Sequence, residues 1–345
     1  MGLDVVQENS VAAVKLDSPV TEPKPSEFKE AVVKDIQEFI STLKAKNLFK
    51  DLQELQKQSI IRSGGTMLID WILIFSSWYV VAFVSIYFLP LSLLIMGNRQ
   101  RALGNLLHDA GHSSLDGKKW RNDFIANIAL SWPLFNLTTR YWHLHRTHHL
   151  YLGSMSDDPD YIHKDTFRQS TWQKVLSINL FSWPMFRSNA FGQIFDIPWA
   201  EKIKMLLWWL VVLSIMAFIT GIIPTAIFAG LWMLSRMTVF HFITTFREIS
   251  DHVGLIPGTL IGFTRNNPTK SIARIFFHPH KNGYHLTHHL AQRVPFFALP
   301  KAHELFMNCS QYVEGHHCDG YFFGEHTVVD CWTGKCQKEK EAEAA

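Results

Sequence analysis

The chain has 345 residues, 47% of them hydrophobic and 18% charged, with a formal net charge of +3. That charge is too small to argue for nucleic acid as a partner, and no basic run with interleaved aromatics suggests one. The 26 Phe and 12 Trp concentrate in long apolar stretches separated by polar ones, the pattern of a membrane protein.

Residues 1–25 are mostly polar, with Pro19, Pro23 and Pro25 and no sustained apolar core. They read as a disordered tail and carry no secretory signal. In the region 26–60, charges alternate with Phe28, Val32, Val33, Ile36, Phe39, Ile40 and Leu43 at helical spacing. This predicts an amphipathic helix, cytosolic or interfacial, or an ordinary helix packed on the rest of the chain.

The first apolar region, from Gly65 to about Gly97, is too long for one span of about 20 residues. Pro90 offers a turn or kink. We expect one span at about 66–86 and another from Leu89 through Leu107. The latter carries Asn98, Arg99, Gln100 and Arg101, so its lower half must leave the lipid or pack inside protein. It ends in His108 and His112. Segments 122–137 and 173–196 are apolar and aromatic but broken by Pro133 and Pro184, which predicts half-embedded surface helices.

The second apolar region, Met205 to Phe246, is divided by Gly221 and Pro224 into spans at about 205–221 and 225–246. Arg236 and His241 should face the protein interior, with Arg236 in a structural ion pair rather than on an acidic head group. The connections Tyr87–Pro90 and Gly221–Pro224 carry no Lys or Arg, whereas the segment 98–204 is rich in both. The positive-inside rule then places both termini on the cytosolic side. The predicted fold is an all-α integral membrane protein with about four transmembrane helices and a cytosolic helical cap. Its main domain covers 61–325, followed by a C-terminal tail, 326–345. Cys309, Cys318, Cys331 and Cys336 form no C-x-x-C. Free thiols are the expectation, although Cys331 and Cys336 are close enough in sequence to pair or to bind metal.

Three histidine clusters fall outside the predicted spans. They read H-D-A-G-H (His108, His112), H-R-T-H-H (His145, His148, His149) and H-L-T-H-H (His285, His288, His289). Spacings of i, i+4 and i, i+3, i+4 put the imidazoles of each cluster on one helix face. Eight imidazoles exceed the needs of one ion, so a polynuclear site is predicted. Imidazole suits iron, copper, zinc and nickel.

The stretches R-Q-R-A-L-G-N-L-L-H-D-A-G-H (99–112), H-L-H-R-T-H-H (143–149), S-D-D-P-D (156–160) and G-Y-H-L-T-H-H-L (283–290) carry a resemblance. So does V-P-F-F-A-L-P-K-A-H (294–303). Together they resemble the membrane fatty acid desaturase superfamily, over about residues 60–305. The resemblance implies two iron ions bound by the eight box histidines. It also implies a ninth ligand just after the last span, where R-E-I-S-D-H places His252. Glu248, one turn earlier, either binds iron directly or through water, or pairs with Arg247. His280, Asp109, Asp158 and Asp160 are candidates to orient a ligand through its other ring nitrogen. The Asp residues fit helix or turn caps equally well. His143 lies about 200° from His145 on a helix and is set aside.

An unactivated C–H bond is beyond acid–base groups at neutral pH; a redox metal that activates O2 as co-substrate is required. Removing hydrogens from adjacent carbons gives a double bond, and returning oxygen gives a hydroxyl. The reading is an O2-dependent di-iron oxidoreductase of a lipid-like substrate, by default a fatty acyl desaturase. Alternatives are a hydroxylase, a ketolase, an oxidative fatty-acid decarboxylase, or a desaturase of a specialised small metabolite. With no H-P-G-G haem motif, no G-x-G-x-x-G and no iron–sulfur cysteine set, the resemblance implies a separate ferredoxin or small cytochrome as external electron donor. The non-enzyme alternative, a membrane metal transporter, places its ligands at the membrane midplane, whereas these boxes lie outside the spans.

Overall fold

In the computed structural model, residues 24–162, 170–268 and 270–335 are described. The tail expected at residues 1–25 lies outside the described residues up to residue 23, and so do residues 336–345.

Helix α1 (Pro25–Ala45) begins with proline in its first turn, where the missing N–H leaves no bond unmade. Its apolar stripe buries Val32, Phe39 and Leu43 in one core with Leu286, Leu290, Phe306 and Tyr312. Of the two forms expected for this region, the structure shows the packed helix. It stops at Asn47, whose φ of 60° breaks the helix, and α2 (Phe49–Leu55) follows.

Ser59 caps α3 (Ile60–Tyr79), accepting a hydrogen bond from the Arg62 amide. A π turn continues this helix to Val84, making an apolar rod, Ile60–Val84. Next come α4 (Leu89–Gly111), α5 (Lys119–Ala126), α6 (Thr138–Leu150), α7 (Trp172–Leu180) and α8 (Trp183–Phe191). Then α9 (Trp199–Thr220), α10 (Ile222–Ser235) and α11 (His241–His252) follow, the last two joined through a π turn, Arg236–Phe240.

Among the described residues, three helices are long and apolar enough to cross a membrane: Ile60–Val84, Trp199–Thr220 and Ile222–His252. The predicted second span, α4, is not among them. It packs along α3, α10 and the π turn Arg236–Phe240. Asn98, Gln100, Arg101 and Asn105 are buried along it, and their polarity makes the helix too hydrophilic to count as a span. Gly97 lets α4 approach the π turn closely: a Cβ there would lie 2.6 Å from Val239 Cβ. Around these helices, Ile74, Trp78, Met96, Leu103, Phe228 and Trp232 form a second core.

The remaining elements carry the third box and close the fold. They are β1 (Arg265–Asn266), α12 (Arg274–Phe277), α13 (His285–Leu290), α14 (Leu299–Phe306), α15 (Ser310–Val313), β2 (His316–His317) and α16 (Val328–Cys331). The two short strands pair in parallel. Phe246, Phe277, Val328 and Trp332 form a third core. Residues 328–332 were expected in a tail, but their apolar side chains pull the chain back onto α11. Cys309 and Cys318 are free and buried. Cys331 is disulfide-bonded, contrary to the free thiol expected, and its partner lies outside the described residues.

His241 is buried, with Nε2 2.9 Å from the Leu180 carbonyl. Arg236 is buried too, but not in an ion pair. Its Nε and Nη2 donate to the carbonyls of Ala190 and Leu134, both at 2.8 Å. Its guanidinium lies over the rings of Phe240 and Phe135.

Candidate metal centre

The boxes sit on α4, α6 and α13, and His252 ends α11. Helical spacing aims each set inward, and packing brings the four helices to one place. The nine predicted ligand histidines fall into two groups. One contains His108, His112, His145, His149 and His288; the other contains His148, His252, His285 and His289. Within each group, the ligand atoms all lie within 4.8 Å of one another.

The contacts are those of nitrogens converging on points rather than of a packed core. Nε2 of His149 lies 2.9 Å from Nε2 of His145 and 3.1 Å from that of His288. Nε2 of His285 lies 2.9 Å from that of His252 and 3.0 Å from that of His289. Two imidazole nitrogens about 2.1 Å from one ion, at right angles, stand about 3.0 Å apart. Nε2 of His108 and of His112 are buried with no hydrogen-bond partner, a costly state that a bound ion relieves. Each group therefore fits a divalent first-row metal.

Electrostatics agree. Burial, followed by neighbouring imidazoles, pushes His145, His149, His285, His288 and His289 well below the ordinary histidine range. His112 is lowered to about 4, first by burial. Neutral imidazole is the form that binds metal. His148 differs: burial opposes its protonation, but the Asp158 carboxylate prevails and raises it to about 9.

Asp158 accepts from Nδ1 of His148 at 2.8 Å and from the amides of Gly153 and Asp160, each at 2.9 Å. It thus orients the His148 ring and also ties the turn after α6. Nδ1 of His252 is held by the Phe263 carbonyl at 2.7 Å. Asp109 accepts from the Phe296 amide at 2.8 Å and lies 3.6 Å from Nδ1 of His108. Asp160 is half exposed and 4.0 Å from Nδ1 of His148.

Glu248 belongs to neither group, and its carboxylate lies 3.8 Å from Arg247. His280 points away from the ligands: its Nε2 lies 2.6 Å from Asp70. His143 is exposed and outside both groups.

Sequence reasoning passed over three groups. Asp70 is a fully buried carboxylate within an apolar helix, and an ionisable residue inside a predicted span was its signal. Asp251 adjoins His252, accepts from Nε of Arg247 at 2.8 Å and lies 3.6 Å from Nε2 of His285. Tyr141 stacks on His145, one helical turn away. The last two carried no local signal.

A cavity of about 280 Å³ opens beside the centre, with His145, His148, His252 and His285 on its wall. Taken together, two adjacent imidazole clusters beside a cavity can hold two redox ions against a bound organic molecule.

Comparison with known proteins agrees with this arrangement. The chain is 25% identical over 302 residues to the dihydrorhizobitoxine desaturase of Bradyrhizobium elkanii, covering 78% of this chain and 82% of that one. It is 29% identical over 122 residues to an sn-1 acyl-lipid omega-3 desaturase (ferredoxin) of Synechocystis sp., covering 34% and 33% respectively. The fatty acid desaturase family model matches residues 84–319, which include all nine histidines, and the chain is therefore a member of the fatty acid desaturase family, an oxidoreductase.

Proposed function

We propose that the protein is an O2-dependent desaturase whose two histidine groups hold two irons. The observation that carries this reading is the division of nine histidines into groups of five and four. When bound, the irons supply the oxidising power to remove hydrogen from an unactivated carbon. The chain's own residues do the rest. Asp158 keeps a proton on Nδ1 of His148, leaving Nε2 for metal. The Phe263 carbonyl does the same for His252. Arg247 holds Asp251 beside His285. Burial of the imidazoles keeps water from the centre.

The protein is further read as a multi-pass membrane protein, with both termini and the boxes on the cytosolic face. The three apolar helices and the Lys/Arg asymmetry of the connections support this. In this reading α4 enters the membrane only by its upper half and descends as the carrier of His108 and His112. Electrons come from a separate ferredoxin or small cytochrome. One relative's name includes ferredoxin.

For the substrate, a fatty acyl chain and a specialised small metabolite both suit the chemistry. The two relatives' names supply one of each kind. The test is iron content and donor-dependent O2 consumption of the purified protein, with mass spectrometry of host lipids and small metabolites beside a His148→Ala control. Iron-dependent O2 consumption and a new double bond, both lost in the control, are expected. Absence of bound iron and of O2 consumption would sink the proposal.

A further inference from the structure

The wall of the cavity beside the metal centre is not what an acyl chain requires. Its side-chain apolar lining is limited to Leu107, Leu134, Leu144 and Phe240; the rest is polar or charged, apart from two glycines. Five arginines line it, and their partners separate them. Arg187 pairs with Asp196 at 2.8 Å, and Arg247 pairs with Asp251. Arg140 is exposed at the surface.

Arg101 and Arg236 are buried, at 7% and 1% exposure, and neither meets a carboxylate among the described residues. Arg101 is held by Asn105. Arg236 spends Nε and Nη2 on two carbonyls, and its Nη1 is buried with no partner. Glu248 and Asp251 lie within electrostatic reach of Arg101, whereas Arg236 is a buried cation without a counter-charge among the described residues, a costly state. Arg236 also opens a π turn inside an apolar helix, where such irregularities and ionisable groups mark functional sites.

Resting on the desaturase reading above, we propose that the substrate is a small molecule bearing a carboxylate, which Arg236 anchors in this cavity while Arg101 adds positive potential. The cavity is at the lower limit of ligand sites, about 300 Å³. That suits a short, polar skeleton whose carbons lie beside His145 and His285. A larger, apolar cavity of about 530 Å³, lined by Leu94, Phe186, Met237 and Phe242 among others, contains none of the nine histidines. A lipid tail held there is not presented to the metal centre.

The test is equilibrium binding to the full-length, metal-free protein in detergent, so that it does not depend on turnover. The probes are hexanoate, norleucine, neutral hexanamide and palmitate. Hexanoate or norleucine should bind at least 10-fold more tightly than hexanamide, and palmitate no more tightly than hexanoate. Arg236→Gln should weaken hexanoate binding 10-fold or more, with partial recovery in Arg236→Lys, while Lys50→Gln, at an exposed position outside the cavity, changes it little. Equal affinity for hexanoate and hexanamide, or palmitate binding 10-fold tighter than hexanoate, overturns the proposal. The amide comparison uses the unaltered chain, so the inference stays testable if the Arg236 variants fail to fold. A protein that binds iron and consumes O2 without preferring carboxylates loses only this inference. One that prefers carboxylates but takes up no iron loses the di-iron reading instead.

Discussion

Asp70 on α3 reaches two partners from other parts of the chain: Nε2 of His280 at 2.6 Å and Nη1 of Arg99 at 3.0 Å. One buried acid thus joins α3, α4 and the turn that leads into α13. His280 sits at φ 55°, a strained conformation for a residue other than glycine. Asp70→Ala leaves the half-buried Arg99 and His280 without their carboxylate, at an expected cost of about 1–3 kcal/mol. Asp70→Asn should cost less because it keeps hydrogen-bonding capacity. Thermal unfolding in detergent reads both, and an unchanged midpoint in the alanine variant contradicts the assigned role.

Asp158 controls a ligand that it does not replace. Removing a carboxylate that orients a ligating imidazole typically lowers metal affinity by about 10–100-fold. Asp158→Ala should show that loss in an iron or cobalt titration. Asp158→Asn keeps one acceptor oxygen for the His148 proton and the Asp160 amide but sets an NH2 against the Gly153 amide, and should lose less than the alanine variant.

The five-and-four division makes neighbouring histidines behave differently. His288 belongs to one group and His289 to the other. Each alanine variant should lower bound iron from about two ions per chain to about one, and His288→Ala/His289→Ala together to near none. Elemental analysis of the purified variants checks this. Retention of both ions in either single variant removes that histidine from the ligand set.

Metal should also stabilise the fold, because the converging imidazoles form a site only in the native state. At free metal about 1,000 times Kd, binding adds about 4 kcal/mol. Chelation should lower the unfolding midpoint, and iron should restore it. Identical midpoints with and without metal refute the coupling.

Gly97 and Gly64 offer a matched comparison. A Cβ at Gly97 meets Val239 and the Phe240 amide nitrogen at 2.6 and 2.9 Å, while one at Gly64 meets nothing within 4 Å. Gly97→Ala should cost about 1–3 kcal/mol by forcing α4 off the π turn. It should also reduce metal occupancy, because α4 carries His108 and His112. Gly64→Ala, in a helix with open space around it, should be neutral or stabilising by up to about 1 kcal/mol. Melting curves and iron content of both variants decide.

Local patterns in the sequence were enough to place the histidines on helices, because i, i+3, i+4 spacing is a property of one segment. The apolar rods were equally legible, since each runs for a full span. What required the folded chain was every long-range pairing. The division of the middle box between two groups depends on where α13 lies beside α6. Arg236 reads as half of an ion pair, but the chain supplies carbonyls from Leu134 and Ala190 instead. His280 adjoins the third box in sequence, yet its partner is 210 residues away. The apolar stripe of α1 looked the same whether lipid or Phe306 covered it, and the edge-on contact of Phe39 with Phe306 shows which does.

Helices α6 and α13 each contribute to both metal groups: His145 and His149 against His148, and His288 against His285 and His289. In the proposed di-iron reading, the separation of two ions would therefore be set by the pitch of two short helices rather than by loops. Turning either helix to suit a larger ion at one site drags its other histidines away from the second. The pair would act as a fixed gauge, so that discrimination among metals would belong to the helical scaffold as a whole rather than to either set of histidines alone.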